Sequence, residues 1–277
     1  MQTAQPAITV HASRLPREQL GALLAAHEAA LASRTGVLKD HRRTALTRVL
    51  LAEQWLCVKE YRPQGLRDRV KDLLGWSRAR RAWRGAQRLA ALGVAIPEPL
   101  ALLKRGRTGY LVTRLIEGAQ PLDRLLAGRF AGLVSPHEAR ARRAMSRQLG
   151  AWLRHVHDLG IYHNDWCPKN ILAVEAAGRW AFIFLDFESV RPFRLLTKRR
   201  RLKNLAQICD TPAPVARTDR LRFLLAYAGG AAALRRSRLP AKVTAAVGRR
   251  VRSRELRRAR LQHRSPSTRG KDGKQPS

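Results

Sequence analysis

The chain has 277 residues, 45% of them hydrophobic, which suits one large domain or two small lobes and argues against wholesale disorder. No apolar run approaches the roughly 20 residues needed to span a bilayer, and the N-terminus lacks a secretion-signal pattern, so we expect a cytoplasmic protein. Lys and Arg number 55 against 20 Asp and Glu, and the net charge of +35 favours nucleic acid, an anionic membrane face or a phosphorylated substrate as partner. An arginine-rich genome would explain part of this excess.

The first part of the chain predicts one helix and then a hairpin. Leucines recur at helical spacing within Leu15–Ala32, which predicts an amphipathic helix in an N-terminal extension over residues 1–35. Two apolar, strand-length runs, Ala45–Leu51 and Trp55–Tyr61, are separated by three residues and indicate a β-hairpin. The stretch Gln64–Leu92 that follows is helical in pattern and very basic.

A boundary between two lobes is predicted near residue 118. Two more strand-length runs between residues 100 and 116 complete a β-rich lobe over residues 36–118. Beyond it, the sequence Ser135-Pro136-His137-Glu138 is a capping box, which opens a helix in a mainly helical lobe over residues 119–247. Residues 248–277 are rich in Arg, Ser and Pro, and we expect a disordered basic tail there.

Polar motifs follow one another in a recognisable order. The segment His163-Asn164-Asp165-Trp166-Cys167-Pro168-Lys169-Asn170 has the HxDxxxxN spacing of a kinase catalytic loop. The pair Asp186-Phe187 ends an apolar strand-length run further along, and Val58-Lys59 lies on the second strand of the predicted hairpin. Lysine, Asp…Asn and Asp-Phe therefore occur in kinase order.

The chemistry of phosphoryl transfer explains these residue types. The reaction depends on positioning and charge neutralisation, and Lys59 is the candidate for holding the phosphates of ATP. Mg²⁺ prefers carboxylate and carbonyl oxygens, which Asn170 and Asp186 would supply. A carboxylate beside the incoming hydroxyl can orient it and accept its proton, and we assign this role to Asp165. We expect His163 to brace the loop backbone rather than contact the substrate.

Other functions compete with this interpretation. His155, His157, His163 and Asp165 would instead suit a metal-hydrolase cluster, although that hypothesis leaves Lys59 and the Asp-Phe pair unexplained. A phosphotransferase of this type could also act on a small molecule or a protein, because fold alone does not determine the substrate. The strong charge further allows a non-catalytic polyanion-binding protein, for which we expect salt-sensitive binding without ATP turnover.

Several segments resemble the lipopolysaccharide core heptose/Kdo kinase family of the protein-kinase-like superfamily, over about residues 36–229. The segments that carry the resemblance are Cys57–Arg62, Ser77–Trp83, Gly109–Thr113, His163–Asn170 and Arg217–Tyr227. The resemblance implies an α+β, bilobal protein-kinase-like fold with a small β-rich N-lobe and a mainly helical C-lobe. It also implies ATP and Mg²⁺ as cofactors and phosphorylation of a sugar hydroxyl in lipopolysaccharide core, or in a similar anionic glycolipid, at the cytosolic membrane face.

The sequence departs from the family pattern at several positions. The segment Lys39–Thr44 holds no glycine where a glycine-rich phosphate loop is usual, so we expect its Arg and Lys side chains to contact phosphate. Ala82 stands near the place of the glutamate that normally pairs with the strand lysine, which leaves the partner of Lys59 open. Glu188 replaces the glycine after Asp-Phe, and the catalytic-loop lysine stands at Lys169, where we expect it to contact the nucleotide.

Adenine is expected between the lobes. Because alternate strand residues share a face, Cys57 lies on the same face as Lys59 and is assigned to the nucleotide pocket, although a plain core role is equally open. The linker residues Arg114 and Ile116 would offer backbone hydrogen bonds to the base.

A basic amphipathic segment gives a second expectation. Four apolar residues recur at helical spacing beside several arginines, namely Leu66, Val70, Leu73 and Leu74. Such a helix would either lie on anionic lipid, giving peripheral contact with the inner membrane, or pack on the small lobe. Nucleic acid is not expected as the primary partner.

Overall fold

The computed structural model describes residues 6–132, 135–213 and 215–262, with backbone alone at Arg67, Arg69, Leu261 and Gln262. Within these residues, every helix is too short or too polar to span a bilayer. The elements of the first lobe are β1 (Ile8–Ser13), α1 (Arg17–Ser33), β2 (Val37–His41), β3 (Thr44–Leu51), β4 (Gln54–Tyr61), α2 (Gly65–Leu73), α3 (Arg78–Ala91), β5 (Pro99–Arg105) and β6 (Thr108–Arg114).

Six antiparallel strands form the sheet of the first lobe, in the order β1-β5-β6-β4-β3-β2. Alternate residues of each strand point to opposite faces, so Leu56 and Val58 of β4 lie on one face and Lys59 on the other. Helix α1 covers the first face and buries Leu23 and Leu24 against it. Helix α3 packs on part of the opposite face, which also carries Lys59.

The second lobe is mainly helical. Its elements are β7 (Gln120–Pro121), α4 (Leu122–Ala127), α5 (Pro136–Asp158), β8 (Ile161–His163), β9 (Ile171–Ala176), β10 (Arg179–Phe184), β11 (Val190–Pro192), α6 (Lys198–Cys209), α7 (Arg217–Ala228), α8 (Ala231–Ser237) and α9 (Leu239–Gln262). Helix α5 packs closely on α7 because Gly150 has no side chain. A Cβ at this position would stand 2.2 Å from the carbonyl oxygen of Phe223.

Local sequence signals account well for the element boundaries. The predicted hairpin is confirmed as β3 and β4. The predicted helix start is confirmed, because Ser135 Oγ accepts a hydrogen bond of 3.2 Å from the Glu138 N–H, whereas the Glu138 carboxylate pairs with Arg129 instead of completing the capping box. The basic stretch predicted as one helix forms two, α2 and α3, because Gly75 has a φ of +70° and interrupts the helix before Ser77 caps α3.

The prediction of a disordered tail from Gly248 is wrong for residues 248–262, which continue α9. Arginine and leucine are strong helix formers, and their abundance sustains the helix where a composition argument pointed to disorder. Two arginines also anchor α9 to the end of α6, since Arg250 and Arg254 both pair with Asp210, at 3.1 and 2.7 Å. Residues 263–277 lie outside the described part of the chain.

The N-terminal segment contributes more than a helix. Strand β1 pairs with β5 and forms one edge of the six-stranded sheet. The proposed limits at residues 35, 118 and 247 remain predictions.

Candidate active site

The cleft between the two lobes brings together residues that are far apart in the sequence. Strand β4 carries Lys59, and the turn that follows β10 carries Asp186. The Lys59 Nζ lies 2.8 Å from the Asp186 Oδ1, so the two lobes meet through an ion pair. Asp186 is therefore the partner of Lys59 in this structure, which the sequence left open.

Asp165 is held at both carboxylate oxygens. The Asn170 Nδ2 donates to the Asp165 carbonyl oxygen at 2.9 Å and to Oδ2 at 3.3 Å. The Cys167 thiol donates to Oδ1 at 2.6 Å. Burial, together with the neighbouring Asp165, raises the pKa of Cys167 to about 12, so the thiol stays protonated and remains a donor. The loop thus orients the carboxylate from within.

His163 braces the two loops, as predicted. The Asp165 N–H donates to the His163 Nδ1 at 3.2 Å, so that nitrogen is the acceptor and the proton lies on Nε2. The Nε2 then donates to the Asp186 carbonyl oxygen at 3.1 Å. Burial lowers the pKa of His163, which keeps the ring neutral as this geometry requires.

The metal-hydrolase alternative finds no support. The His157 ring is fully buried between the Tyr227 hydroxyl, 2.7 Å away, and Asn204 Oδ1, 3.3 Å away. Burial lowers its pKa to about 4, so it is a neutral core residue. Within the described ranges, no group of three His, Cys, Asp or Glu side chains is placed to hold a metal ion.

Asp186 adopts an uncommon backbone conformation. Its φ of +62° lies in the left-handed region, which aspartate tolerates better than most residues. Its Oδ2 accepts a hydrogen bond of 3.1 Å from Ser189 Oγ. Burial alone would raise the pKa of Asp186, but the Lys59 ammonium outweighs that effect and the pKa is lowered. The carboxylate is therefore ionised and available to a cation.

The oxygen set in the cleft suits Mg²⁺. With its Nδ2 directed at Asp165, Asn170 can present Oδ1, and its backbone carbonyl accepts from the Leu185 N–H at 2.9 Å, which ties it to the turn of Asp186. One amide oxygen and one carboxylate are the hard donors that Mg²⁺ takes while it retains several waters.

Positive charge accumulates around Asp186. Burial lowers the pKa of Lys39, and the charges of Lys59, Lys169 and Arg78 lower it further. Lys39 therefore shares the electrostatic environment of these three cations. Lys39 lies on β2, beside the segment that lacks the glycine-rich sequence. The sequence suggested phosphate contacts from this segment but did not single out Lys39.

Helix α3 holds no acidic residue and cannot supply the usual partner of the strand lysine. It offers Arg78 instead, whose Nη2 and Nε lie 2.6 and 3.1 Å from Glu188 Oε1. The other oxygen, Glu188 Oε2, is buried and has no hydrogen-bond partner among the described residues. Helix α3 also packs closely against the turn after Asp186, since a Cβ at Gly85 would stand 2.2 Å from the Phe187 carbonyl oxygen.

The three residues predicted to contact adenine lie in different environments. The Arg114 N–H already donates to the Glu98 carbonyl oxygen at 2.9 Å, and the Arg114 side chain binds the Glu98 carboxylate, so the predicted backbone contact of Arg114 with the base rests on its carbonyl oxygen. Glu98 lies immediately before β5. The Ile116 N–H makes no hydrogen bond within the part of the chain that the structure describes. Cys57 lies partly buried on the Lys59 face, and burial raises its pKa to about 11.

The chain resembles known proteins in sequence and in structure. The model of the lipopolysaccharide kinase (Kdo/WaaP) family matches residues 31–227. Two proteins named 3-deoxy-D-manno-octulosonic acid kinase, from Haemophilus influenzae strains PittEE and 86-028NP, are 33% and 32% identical over 108 residues. Each alignment covers 37% of this chain and 41% of the relative, so the match spans about two fifths of these relatives' length.

A solved structure, WaaP in complex with acyl carrier protein, superposes with a TM-score of 0.60 at 21% sequence identity. The superposition covers 88% of this chain and 98% of that one. This likeness confirms the bilobal protein-kinase-like fold expected from the sequence.

Proposed function

The chain belongs to the lipopolysaccharide kinase (Kdo/WaaP) family, and from this premise we propose that it transfers phosphate from ATP to a sugar hydroxyl of lipopolysaccharide core or of a similar anionic glycolipid. The observation that carries the proposal is the Lys59–Asp186 ion pair across the cleft, next to the Asp165–Asn170 pair. Together these four residues supply a phosphate ligand, a metal site and a carboxylate for the acceptor hydroxyl.

The nucleotide would be held by the cations of the cleft. Lys59 contacts the α- and β-phosphates, and Lys39 and Lys169 add positive charge in place of the backbone N–H groups of a glycine-rich loop. Asn170 and Asp186 would hold Mg²⁺, which neutralises phosphate charge when bound. The base stacks between the lobes, where Ile116 offers its N–H.

Asp165 acts on the acceptor. With its oxygens held by Cys167 and Asn170, the carboxylate faces the incoming sugar hydroxyl in one orientation. It orients that hydroxyl and accepts its proton late in the transfer. The fixed orientation lowers the entropy that must be lost when acceptor and phosphate meet.

The acceptor is assigned from charge and from the relatives. A net charge of +35 opposes cationic substrates such as aminoalcohols and favours a polyanionic glycolipid. The Haemophilus influenzae relatives are named for 3-deoxy-D-manno-octulosonic acid, an acidic sugar, and we extend this acceptor class to the present chain. Because such a glycolipid resides in a membrane leaflet, we infer peripheral contact with the anionic inner-membrane face.

The test is transfer of labelled phosphate from ATP with Mg²⁺ to lipopolysaccharide whose core lacks phosphate. A protein, small aminoalcohols and free 3-deoxy-D-manno-octulosonic acid serve as competing acceptors. We expect label in the glycolipid, and at least about a hundredfold less with the Asp165→Asn protein. Label in a small molecule or a protein would mean that this acceptor, and not the glycolipid, is the substrate. Absence of both transfer and ATP binding would favour the polyanion-binding alternative.

Glu188 and Arg78 position Lys59 in place of the missing helix glutamate. Burial disfavours the charge of Lys59, but Tyr61, Asp186 and Glu188 outweigh it and raise the pKa of Lys59. Once Asp186 binds a metal ion, Glu188 is the remaining carboxylate near the lysine. The aromatic ring of Tyr61 is close to both cations: the Lys59 Nζ and the Arg78 Cζ lie 5.1 and 5.2 Å from its centroid.

We therefore expect Glu188→Gln to raise the KM for ATP and lower kcat/KM by about 10- to 100-fold, the range found for residues that position a ligand without contacting the substrate. The amide keeps the shape and the hydrogen bond to Arg78, so thermal stability should change little. Steady-state kinetics measure the split between KM and kcat. Glu175→Gln, which alters a similar ion pair with Arg129 at 2.6 Å, is the matched control. Equal kinetics for the two variants would remove Glu188 from the mechanism.

A further inference from the structure

The short helix α2 exposes its whole apolar face. Five large apolar side chains in and just after it are between 54% and 88% exposed: Leu66, Val70, Leu73, Leu74 and Trp76. A helix of a globular protein normally buries this face, and a contiguous exposed patch marks a binding surface. Of the two alternatives that the sequence left open, packing of these apolar side chains on the small lobe is not observed.

A basic cavity lies against the same helix. It has a volume of about 560 Å³ and is bordered by α2, the start of α3 and the turn between β2 and β3. Nine Lys and Arg residues line it, against two aspartates. Six of these cations have no ion-pair partner among the described residues: Arg42, Arg43, Lys71, Arg80, Arg81 and Arg107. Such a concentration of uncompensated charge is unfavourable unless an anion is bound.

The apolar face and the basic cavity form one surface. Lys71 and Trp76 line the cavity and belong to α2 or the turn after it. An occupant must therefore satisfy apolar side chains and unpaired cations together. A nucleic acid gives the leucines nothing to pack on, and a second copy of the chain would bring like charges together. The boundary between phosphate headgroups and acyl chains in an anionic bilayer satisfies both.

We propose that α2 and the basic cavity are the membrane-docking surface of this protein, with the leucines and Trp76 inserted among the acyl chains of an anionic leaflet. Lipid phosphates enter the cavity and pair with its arginines and Lys71. Each cation near such a surface adds to binding, and the apolar side chains add the hydrophobic part.

The location of this surface has a consequence for the active site, which rests on the proposed function. Arg78 and Tyr61 line the basic cavity, and Arg78 also pairs with Glu188 beside the Asp186 turn. A docked protein would hold its cleft at the membrane, where a lipid-linked sugar is found. The docking itself requires no ATP and no catalysis.

The experiment is co-sedimentation of the full chain with vesicles of phosphatidylglycerol and phosphatidylethanolamine, or of phosphatidylcholine alone. It is done with the Asp165→Asn protein and without ATP, so a failure of the kinase proposal does not affect the result. We expect binding to the anionic vesicles only. The double variant Leu66→Gln/Leu73→Gln should weaken it at least about tenfold, and so should Arg42→Gln/Arg43→Gln/Arg81→Gln.

Matched controls separate docking from general polarity and charge. Leu195→Gln/Leu221→Gln alters two exposed leucines elsewhere, and Arg140→Gln/Arg147→Gln/Arg217→Gln removes the same charge from exposed positions on other helices. Both should bind as the parent protein does. Vesicles with brominated acyl chains should quench the tryptophan fluorescence of the parent protein more than that of the Trp76→Phe variant. Binding that responds equally to test and control variants, or that is as strong on phosphatidylcholine, would overturn the proposal.

Discussion

Replacing Asp165 with asparagine is expected to lower phosphate transfer by about 10²- to 10⁴-fold, the contribution of a well-placed general base. The amide has nearly the shape of the carboxylate, so the loop held by Cys167 and Asn170 should keep its conformation. It cannot accept the proton of the sugar hydroxyl, however. Single-turnover transfer from labelled ATP measures the effect, and nucleotide binding should remain close to that of the parent protein.

The matched control is Asp158→Asn, which alters an exposed aspartate paired with Arg154 and Arg201 outside the cleft. It should transfer phosphate at the parent rate. Transfer that survives in the Asp165 variant would mean that another group, or none, accepts the proton.

The second large effect concerns binding of the nucleotide. Lys59→Met should lower kcat/KM by about 10²- to 10³-fold, because it removes a fixed positive charge from the phosphate site. It also leaves the half-buried Asp186 carboxylate without its ion-pair partner, so the free energy of unfolding should fall. Asp186→Asn should abolish the Mg²⁺ dependence of nucleotide binding, and it leaves the Lys59 ammonium without its carboxylate partner.

Calorimetric titration with ATP, with and without Mg²⁺, separates the two variants. Lys198→Met removes an exposed lysine at the start of α6 and is the control. If Lys59→Met bound ATP as tightly as the parent protein, the lysine would be a structural partner of Asp186 and not a phosphate ligand.

The central site residues could be predicted because their signals are local. The spacing from Asp165 to Asn170 and the Asp-Phe pair lie within short segments that fold in one way. The partner of Lys59 could not be predicted, since the Asp186 contact joins residues 127 positions apart. The Arg78–Glu188 pair is likewise 110 positions apart, and no local pattern marks either residue.

Other misses have separate physical causes. Disorder was predicted from Gly248 onward on composition alone. Composition neglects the high helix propensity of arginine and the ion pairs that Asp210, at the end of α6, forms with Arg250 and Arg254. The engagement of the Arg114 N–H could not be predicted, because its acceptor, the Glu98 carbonyl oxygen, belongs to a different segment of the chain. The exposure of the α2 leucines depends on what the rest of the lobe leaves uncovered, which periodicity alone does not report.

Strand β1 and helix α1 lie mostly outside the family-matched residues 31–227, yet they complete the sheet and cover one of its faces. A recombinant fragment trimmed to the family match would lose the strand that pairs with β5. The unprotected edge of β5 and the bared apolar face would then invite sheet-to-sheet association between molecules. Trimming the gene to its shared region should therefore cost soluble yield, even though every residue of the cleft would still be encoded.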